Sequence, residues 1–387
     1  MGAPTVSSPL PTALYIHVPW CVRKCPYCDF NSHTQEGPLP ETAYAERILA
    51  DLDWDLAHYG PPAAPLGSIF FGGGTPSLLA ATTVATILRG VRARLALEPD
   101  CEITLEANPG TAEAGRFRGY REAGVNRLSL GVQSFSPRAL SALGRIHSGD
   151  DAQRAIELAQ GAGFERLNLD LMHGLPGQSA EEGLRDLTLA LASGVTHLSY
   201  YQLTIEPNTA FYRRPPSLPE EDMLETLELN GQSALQAAGF EAYEISAWAK
   251  GDAQCRHNLN YWRFGDYFGL GPGAHGKLTR SVADGGLKVV RTQRSRVPSH
   301  WLGGPAAPAR EDVLNDDRLR EEALLNVLRL REGVPLALFE AHTGLAAACL
   351  EPERQRQIEA GLLQAEALAA TDLGWRFLNP LLTALAR

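Results

Sequence analysis

The sequence predicts an α/β protein: a partial (β/α) barrel followed by a smaller, mostly helical C-terminal domain. Short apolar runs alternate with longer amphipathic runs between residues 13 and 250, and several of the longer runs end at a glycine. Strands and helices that alternate in this way form a parallel sheet with helical crossovers. Beyond residue 250 the alternation stops, which predicts a change of architecture.

The short runs are rich in Val, Ile, Leu, Tyr or Phe and are too short for helices. The predicted strands are 14–18, 68–71, 102–105, 127–132, 166–171, 197–203 and 241–245. The predicted helices between them include 42–58, 78–95, 151–162, 180–192 and 219–238. Glycines stand where a helix commonly ends in a left-handed residue, at Gly124, Gly163, Gly194 and Gly239.

The chain divides into four predicted segments. An N-terminal tail covers residues 1–12, and the barrel covers 13–250. An aromatic and glycine-rich segment at 251–297 closes the barrel, and a helical domain occupies 309–387. Within these segments we expect a loop at 255–276, a helix at 318–331 and a short strand at 375–378, and a linker at 298–308 joins the last two segments.

Composition narrows the classes of function. The formal net charge of −10 argues against a protein that grips nucleic acid over a broad face. No apolar run is long enough to span a membrane, although peripheral contact with a membrane surface is left open, and the N-terminus lacks the basic and apolar regions of a signal peptide. Six cysteines are too few for a disulfide scaffold. We therefore expect a cytoplasmic protein.

Three of these cysteines form a CxxxCxxC motif just after the first predicted strand: Cys21, Cys25 and Cys28. Active sites of β/α barrels lie at the carboxyl ends of the strands. Three thiolates can each hold one iron of a cubane cluster, leaving the fourth iron free for a substrate. The alternative is a zinc site with His17 or His33 as the fourth ligand.

Other chemistry-bearing residues also follow predicted strands. Gly72–Gly74 and Thr75 follow the second strand, and glycines there let a ligand approach the backbone. Glu106, Gln133 and Asp170 follow the next three strands. Taken singly, a triple glycine can be an ordinary turn and a polar residue can be a cap. Their convergence on one barrel mouth favours a ligand site.

The CxxxCxxC motif with Tyr27 before its last cysteine resembles the radical S-adenosylmethionine (SAM) superfamily. Blocks at 72–76, 130–135, 168–176 and 257–262 are similar to the branch that contains oxygen-independent coproporphyrinogen III oxidase and a group of heme chaperones. The resemblance implies a partial barrel of the radical SAM type, a 4Fe–4S cluster whose open iron binds SAM, and an electron donor to the cluster. The positions that match SAM-contacting residues are Tyr15, Tyr27, Gly73, Gly74, Thr75, Glu106, Gln133, Arg145 and Asp170.

Two departures separate the members of this branch. Phe30 stands where the oxidase has a further cysteine, and the chain lacks the long N-terminal arm of the oxidase. Both features resemble the heme chaperones, which implies binding heme and delivering it to respiratory-chain or other hemoproteins. One alternative is an enzyme that oxidatively decarboxylates porphyrinogen propionates. Another is a zinc- or cluster-stabilised binding protein that uses no SAM.

The predicted heme ligand lies in the motif His257-Asn-x-x-Tyr-Trp262. His257 is the first candidate and Cys255 the second, because imidazole and thiolate both bind heme iron. The aromatic residues that could flank the macrocycle are Tyr261, Trp262, Tyr267 and Phe268. The alternative is that His257 is hydrogen-bonded inside a packed loop that closes the barrel.

Overall fold

The computed structural model describes residues 10–110, 115–282 and 286–386, so most of the predicted N-terminal tail lies outside the described residues. The strands are β1 (Thr12–Val18), β2 (Trp20–Cys21), β3 (His33–Thr34), β4 (Leu66–Gly73), β5 (Leu97–Ala107), β6 (Arg127–Gln133), β7 (Arg166–His173), β8 (His197–Gln202), β9 (Glu241–Ala242), β10 (Ala247–Ala249), β11 (Asp266–Leu270), β12 (His275–Ser281), β13 (Leu287–Gln293), β14 (Arg310–Val313), β15 (Val334–Pro335) and β16 (Ala367–Leu368).

The helices of the described residues lie between these strands and in the C-terminal part. They are α1 (Glu41–Tyr59), α2 (Ala81–Arg92), α3 (Phe117–Ala123), α4 (Pro137–Ala142), α5 (Gly149–Gly161), α6 (Ala180–Ala192), α7 (Ala210–Arg213), α8 (Glu221–Ala237), α9 (Arg256–Trp262), α10 (Pro298–Gly303), α11 (Asp316–Val327), α12 (Leu336–Thr343), α13 (Glu353–Glu359), α14 (Asp372–Arg376) and α15 (Leu378–Leu385). No helix of the described residues is long and apolar enough to cross a membrane.

Twelve strands form one sheet in the order β14-β13-β12-β11-β1-β4-β5-β6-β7-β8-β10-β9. The seven strands from β11 to β8 run parallel, and antiparallel strands extend both ends. The first strand is therefore an interior strand: Ala13 pairs with Ser68 of β4 on one side and with Tyr267 of β11 on the other. The sheet remains open, which confirms the predicted partial barrel.

Helical crossovers cover the outer face of the parallel strands. The apolar faces of α1, α2, α5 and α6 pack on these strands in one continuous core. Ser148 and Ser179 begin α5 and α6 with capping boxes, in which serine and the third helical residue satisfy each other's backbone N–H. This packing fixes the carboxyl ends of the parallel strands at one edge.

The region after residue 250 contains more helices and strands than the sequence predicts. The expected loop at 255–276 contains α9 and β11, and the expected linker at 298–308 contains α10, in which Trp301 is buried. The expected strand at 375–378 is wrong, because Trp375 lies in α14 and Leu378 begins α15. The local sequence alone does not reveal these elements, since each is stabilised by packing against a distant part of the chain.

The C-terminal helices form a second core with residues of the barrel-closing segment. Leu319, Leu324 and Phe339 of these helices pack with Phe264 and Val289. An isolated backbone bridge also joins Leu330 to Glu244, near the last barrel strands. The C-terminal helices are therefore attached to the edge of the sheet where the strands end.

Candidate functional site

One cavity of about 490 Å³ opens at the carboxyl ends of the parallel strands. Eleven of the thirteen predicted site residues line it: Cys21, Cys25, Tyr27, Cys28, Gly73, Gly74, Thr75, Glu106, Gln133, Arg145 and Asp170. The other two, Tyr15 and His257, lie outside its lining. The residues selected from six separate stretches of sequence are thus brought together by the parallel arrangement of the strands.

The cysteine loop is held in a fixed shape by its own backbone. β2 pairs with β3 at its far end, and Lys24 Nζ donates to the carbonyl oxygens of Phe30 and Ser32 at 3.0 and 3.2 Å. On the other side, the amide of Phe211 in α7 donates to the carbonyl of Pro26 at 2.9 Å. These bonds orient the three thiols toward the cavity.

Each thiol has a hydrogen-bonding group beside it. Thr75 Oγ1 donates to Cys21 Sγ at 3.5 Å, and Arg145 Nη1 lies 3.6 Å from Cys25 Sγ. Cys28 Sγ lies 3.7 Å from Ser32 Oγ. Burial raises the pKa of the Cys21 and Cys28 thiols, so their charged form needs a positive partner. A metal supplies such a partner, because thiolates are its ligands.

The donor set fits an iron–sulfur cubane better than a zinc ion. His17 uses both ring nitrogens, Nδ1 with Tyr15 Oη at 3.0 Å and Nε2 with the carbonyl of Asn31 at 2.9 Å. His33 Nε2 lies 3.2 Å from the carbonyl oxygen of Arg296. Among the described residues, no three His, Cys, Asp or Glu side chains converge as a single ion requires. A cubane does not need this convergence, because each thiolate binds a different iron.

The glycine turn at the end of β4 requires glycine at two positions. Gly73 has φ +113°, and a Cβ there would lie 2.4 Å from the His17 ring. A Cβ on Gly74 would lie 2.7 Å from the carbonyl oxygen of Trp20. The amides of Gly74 and Thr75 donate to the carbonyls of Val18 and Trp20 at 2.7 and 2.8 Å. The turn and the cysteine loop are therefore packed as one unit.

Two carboxyl groups face the same cavity. The amide of Gly73 donates to Glu106 Oε2 at 3.1 Å. Burial, together with the nearby Asp170 carboxylate, raises the pKa of Glu106 to about 8. Burial also raises the pKa of Asp170, although Ser129 and Asn168 donate to its oxygens at 3.1 and 2.8 Å. This pair would be stabilised by a ligand that brings positive charge or donor groups.

Two further residues complete this wall without having been predicted. Arg145 Nη2 donates to Asn108 Oδ1 at 2.6 Å, and Tyr201 Oη donates to Gln133 Oε1 at 2.8 Å. Gln133 itself has φ +66°, a backbone conformation that is uncommon for a residue with a side chain. Asn108 lies two residues beyond Glu106, and side chains two apart in a strand point to the same face. This alternation in the sequence was enough to predict Asn108.

Helical geometry divides the His257-Asn-x-x-Tyr-Trp262 motif between two faces of α9. Residues four apart share a face, so Asn258 and Trp262 line the cavity while His257 and Tyr261 face the sheet. The His257 ring stacks on Phe70 with 4.8 Å between centroids.

The surroundings of His257 are fully enclosed. Its Nδ1 lies 3.3 Å from Ser68 Oγ, and the ring of Tyr15 stacks beside it at 6.1 Å. The side chain is 4% exposed, and burial lowers the pKa of the imidazole to about 3. A heme iron could reach this ring only if the packing opened, so the role of His257 as a heme ligand stays a prediction.

The other residues predicted to contact heme do not gather around one space. Cys255 is buried with its Sγ 3.5 Å from Glu102 Oε1, and burial raises the pKa of its thiol to about 12. Tyr267 stacks on Tyr261 at 4.1 Å, and Phe268 is buried in the barrel core. Among these candidates, Trp262 is the one that the described cavity includes.

The fold and the cysteine site define a radical SAM core, and comparison with known families agrees. Residues 15–190 match the Radical SAM superfamily, and residues 314–377 match the HemN C-terminal domain. The solved structure of coproporphyrinogen III oxidase (HemN) from Escherichia coli superposes with a TM-score of 0.79, covering 98% of this chain and 92% of that chain. Its 18% sequence identity makes this a likeness of fold alone.

Full-length relatives define the family within this class. Heme chaperone HemW of Escherichia coli (strain K12) is 50% identical over 96% of this chain and 97% of the relative. Heme chaperone HemW of Mycobacterium tuberculosis (strain H37Rv) is 37% identical over 94% of this chain and 95% of the relative. The chain therefore belongs to the HemW family of radical SAM proteins. The resemblance inferred from the cysteine motif is confirmed.

Proposed function

We propose that the protein is a heme chaperone, which binds heme and delivers it to acceptor hemoproteins. The observation that carries this proposal is the match over nearly the whole length of both chains to relatives named heme chaperone HemW. The cavity supports it, because the residues expected of a radical SAM core line one space. The acceptors, among them respiratory-chain proteins, and an electron donor to the cluster belong to the same proposal.

Membership of the radical SAM superfamily implies a 4Fe–4S cluster and SAM. We assign the cluster to Cys21, Cys25 and Cys28, whose thiols face the cavity. When bound, the two groups supply one-electron chemistry that cleaves SAM to a radical. The chain's own residues bind and orient SAM. Those we assign to it are Tyr15, which lies outside the cavity lining, and eight residues that line the cavity: Tyr27, Gly73, Gly74, Thr75, Glu106, Gln133, Arg145 and Asp170.

The chaperone proposal also rests on one residue of the cysteine loop. Phe30, at the position where the oxidase has a further cysteine, is 59% exposed and lines the cavity. An exposed phenyl ring cannot replace a thiol as a metal ligand or as a redox group. This difference favours binding of a tetrapyrrole without the decarboxylation that the oxidase performs.

Anaerobic reconstitution followed by hemin titration tests the proposal. We expect about four irons and four sulfides per chain, a spectral change on adding SAM, and stoichiometric hemin binding. Cys25→Ser should lose the cluster, whereas Cys349→Ser, which removes an exposed cysteine in the C-terminal helices, should retain it. Formation of protoporphyrinogen from coproporphyrinogen III would contradict the chaperone function, and so would a failure to bind hemin.

A further inference from the structure

The C-terminal domain contributes an arginine to the cavity wall. Arg329, which follows α11, lines the cavity together with Asn258 and Trp262 of α9. Its position is fixed by the backbone that directly follows it: Leu330 forms a bridge with Glu244, and the amide of Arg331 donates to the carbonyl of Tyr243 at 3.0 Å. A segment outside the barrel thus places a positively charged side chain in the cavity wall.

The guanidinium of Arg329 is held in one orientation. Nη2 donates to Glu244 Oε2 at 3.2 Å, and the guanidinium carbon lies 4.3 Å from the centre of the Trp262 ring. Glu244 is itself fixed, because the amide and hydroxyl of Ser246 donate to its Oε1 at 3.2 and 3.3 Å. The arginine is therefore oriented before any ligand arrives, which lowers the entropic cost of binding.

This arginine still has capacity to bind an anion. Its side chain is 31% exposed, whereas that of Glu244 is 5% exposed, so a ligand in the cavity meets the guanidinium rather than the carboxylate. Among the described residues, the buried Arg329 Nε and Trp262 Nε1 have no acceptor. A guanidinium has five N–H donors in a fork that fits a carboxylate, and one bond to Glu244 leaves most of them available.

We propose that Arg329 is the residue that recognises a carboxylate of the tetrapyrrole bound in this cavity, with Trp262 against the same part of the ligand. The inference rests on the proposed function, because heme is the ligand whose propionate carboxylates require such a partner. Glu244 is a positioning residue, since it acts by orienting the guanidinium. The C-terminal domain then takes part directly in selecting the ligand.

The test compares hemin with hemin dimethyl ester, in which both propionates are neutral, on the reconstituted full-length chain. We expect the wild type to bind hemin more tightly than the ester. Arg329→Gln should weaken hemin binding about tenfold, as expected for loss of a charge-assisted hydrogen bond, and should bind the two ligands with similar affinity. Arg329→Lys, which keeps the charge, should recover part of the preference and guards against a folding defect in the glutamine variant.

Arg331→Gln is the matched control, because Arg331 lies two residues away and forms an ion pair with Asp372 outside the cavity. It should keep the wild-type preference for hemin. Equal preference for hemin in Arg329→Gln and the wild type would overturn the assignment of Arg329. A wild-type chain that binds neither ligand would instead overturn the proposed function, and this inference with it.

Discussion

The guanidinium of Arg145 lies against the thiol of Cys25, with 3.6 Å between Nη1 and Sγ, although 120 residues separate them in the chain. The other guanidinium nitrogen, Nη2, donates to Asn108 Oδ1 and to the carbonyl of Gly131, both at 2.6 Å. These three contacts fix a positive charge between the cysteine loop and the ends of the central strands. A fixed cation there favours thiolates and anionic parts of a ligand.

Replacing Arg145 should therefore weaken SAM binding. We expect Arg145→Gln to lower the affinity of the reconstituted protein for SAM by about tenfold, because a charge-assisted hydrogen bond is lost. Equilibrium dialysis with labelled SAM measures the effect. Arg138→Gln is the control, since Arg138 is an exposed arginine paired with Glu182. Unchanged SAM affinity in Arg145→Gln would remove Arg145 from the SAM site.

Glu106 should make stability depend on pH. Its pKa is raised from 4.5 to about 8 in the folded chain, so between these values the folded state binds a proton that the unfolded state has released. The free energy of unfolding should fall as pH rises from about 5 to about 8, and level off above that range. Each pKa unit is worth about 1.4 kcal/mol, so this contribution reaches a few kcal/mol.

Chemical denaturation of the cluster-free chain at pH 5 and pH 8 measures this loss. Glu106→Gln has no proton to release, so its stability should fall less over the same range. Asp170, which faces Glu106, is present in both proteins and its contribution largely cancels. Glu122→Gln, at an exposed site on α3, should behave like the wild type. Equal pH dependence in Glu106→Gln and the wild type would contradict the raised pKa.

Gly73→Ala should disrupt both the glycine turn and the cysteine loop. The new Cβ would meet the His17 ring at 2.4 Å, and the residue has φ +113°. We expect a loss of about 2 kcal/mol or more in the free energy of unfolding, together with loss of SAM binding. Gly161→Ala, at the end of α5, has no atom within 4 Å of the added Cβ and should change neither property.

The two roles considered for His257 can be separated by a pair of substitutions. His257→Ala removes a buried ring stacked on Phe70 and should cost about 3 kcal/mol of stability. His257→Phe restores the ring without its nitrogens, so stability should largely return. A ring that stays enclosed, as it is in the structure, would leave the absorption spectrum of bound hemin unchanged in His257→Phe. Loss of the hemin spectrum in this variant would establish His257 as an iron ligand.

Local sequence was sufficient to predict the parts of the site that follow directly from strand order. The sequence predicts that Glu106, Gln133 and Asp170 follow strands; the structure places them within the carboxyl-terminal ends of β5, β6 and β7, and the parallel sheet brings these ends to one edge. The three cysteines lie on one short loop, so their convergence needs little of the tertiary structure. The glycine turn was predictable for the same reason.

The features of the site and fold that the sequence did not predict depend on contacts between distant segments. Arg329 reaches the cavity through the bridge between Leu330 and Glu244, which no local pattern encodes. The orientation of His257 is set by which face of α9 packs on β4, and a helix of seven residues has too little periodicity to show it. β11 pairs with β1 across about 250 residues, and a local pattern does not show such a pairing.

The interior position of β1 constrains the order in which the protein can mature. The strand that leads into the cysteine loop gains its second neighbour only when Asp266–Leu270 has left the ribosome. Until then the nascent chain presents an open hydrogen-bonding edge, the kind of surface that invites misassembly. We therefore expect a shortened chain that stops ahead of β11 to hold the cysteine loop less firmly than the full chain does.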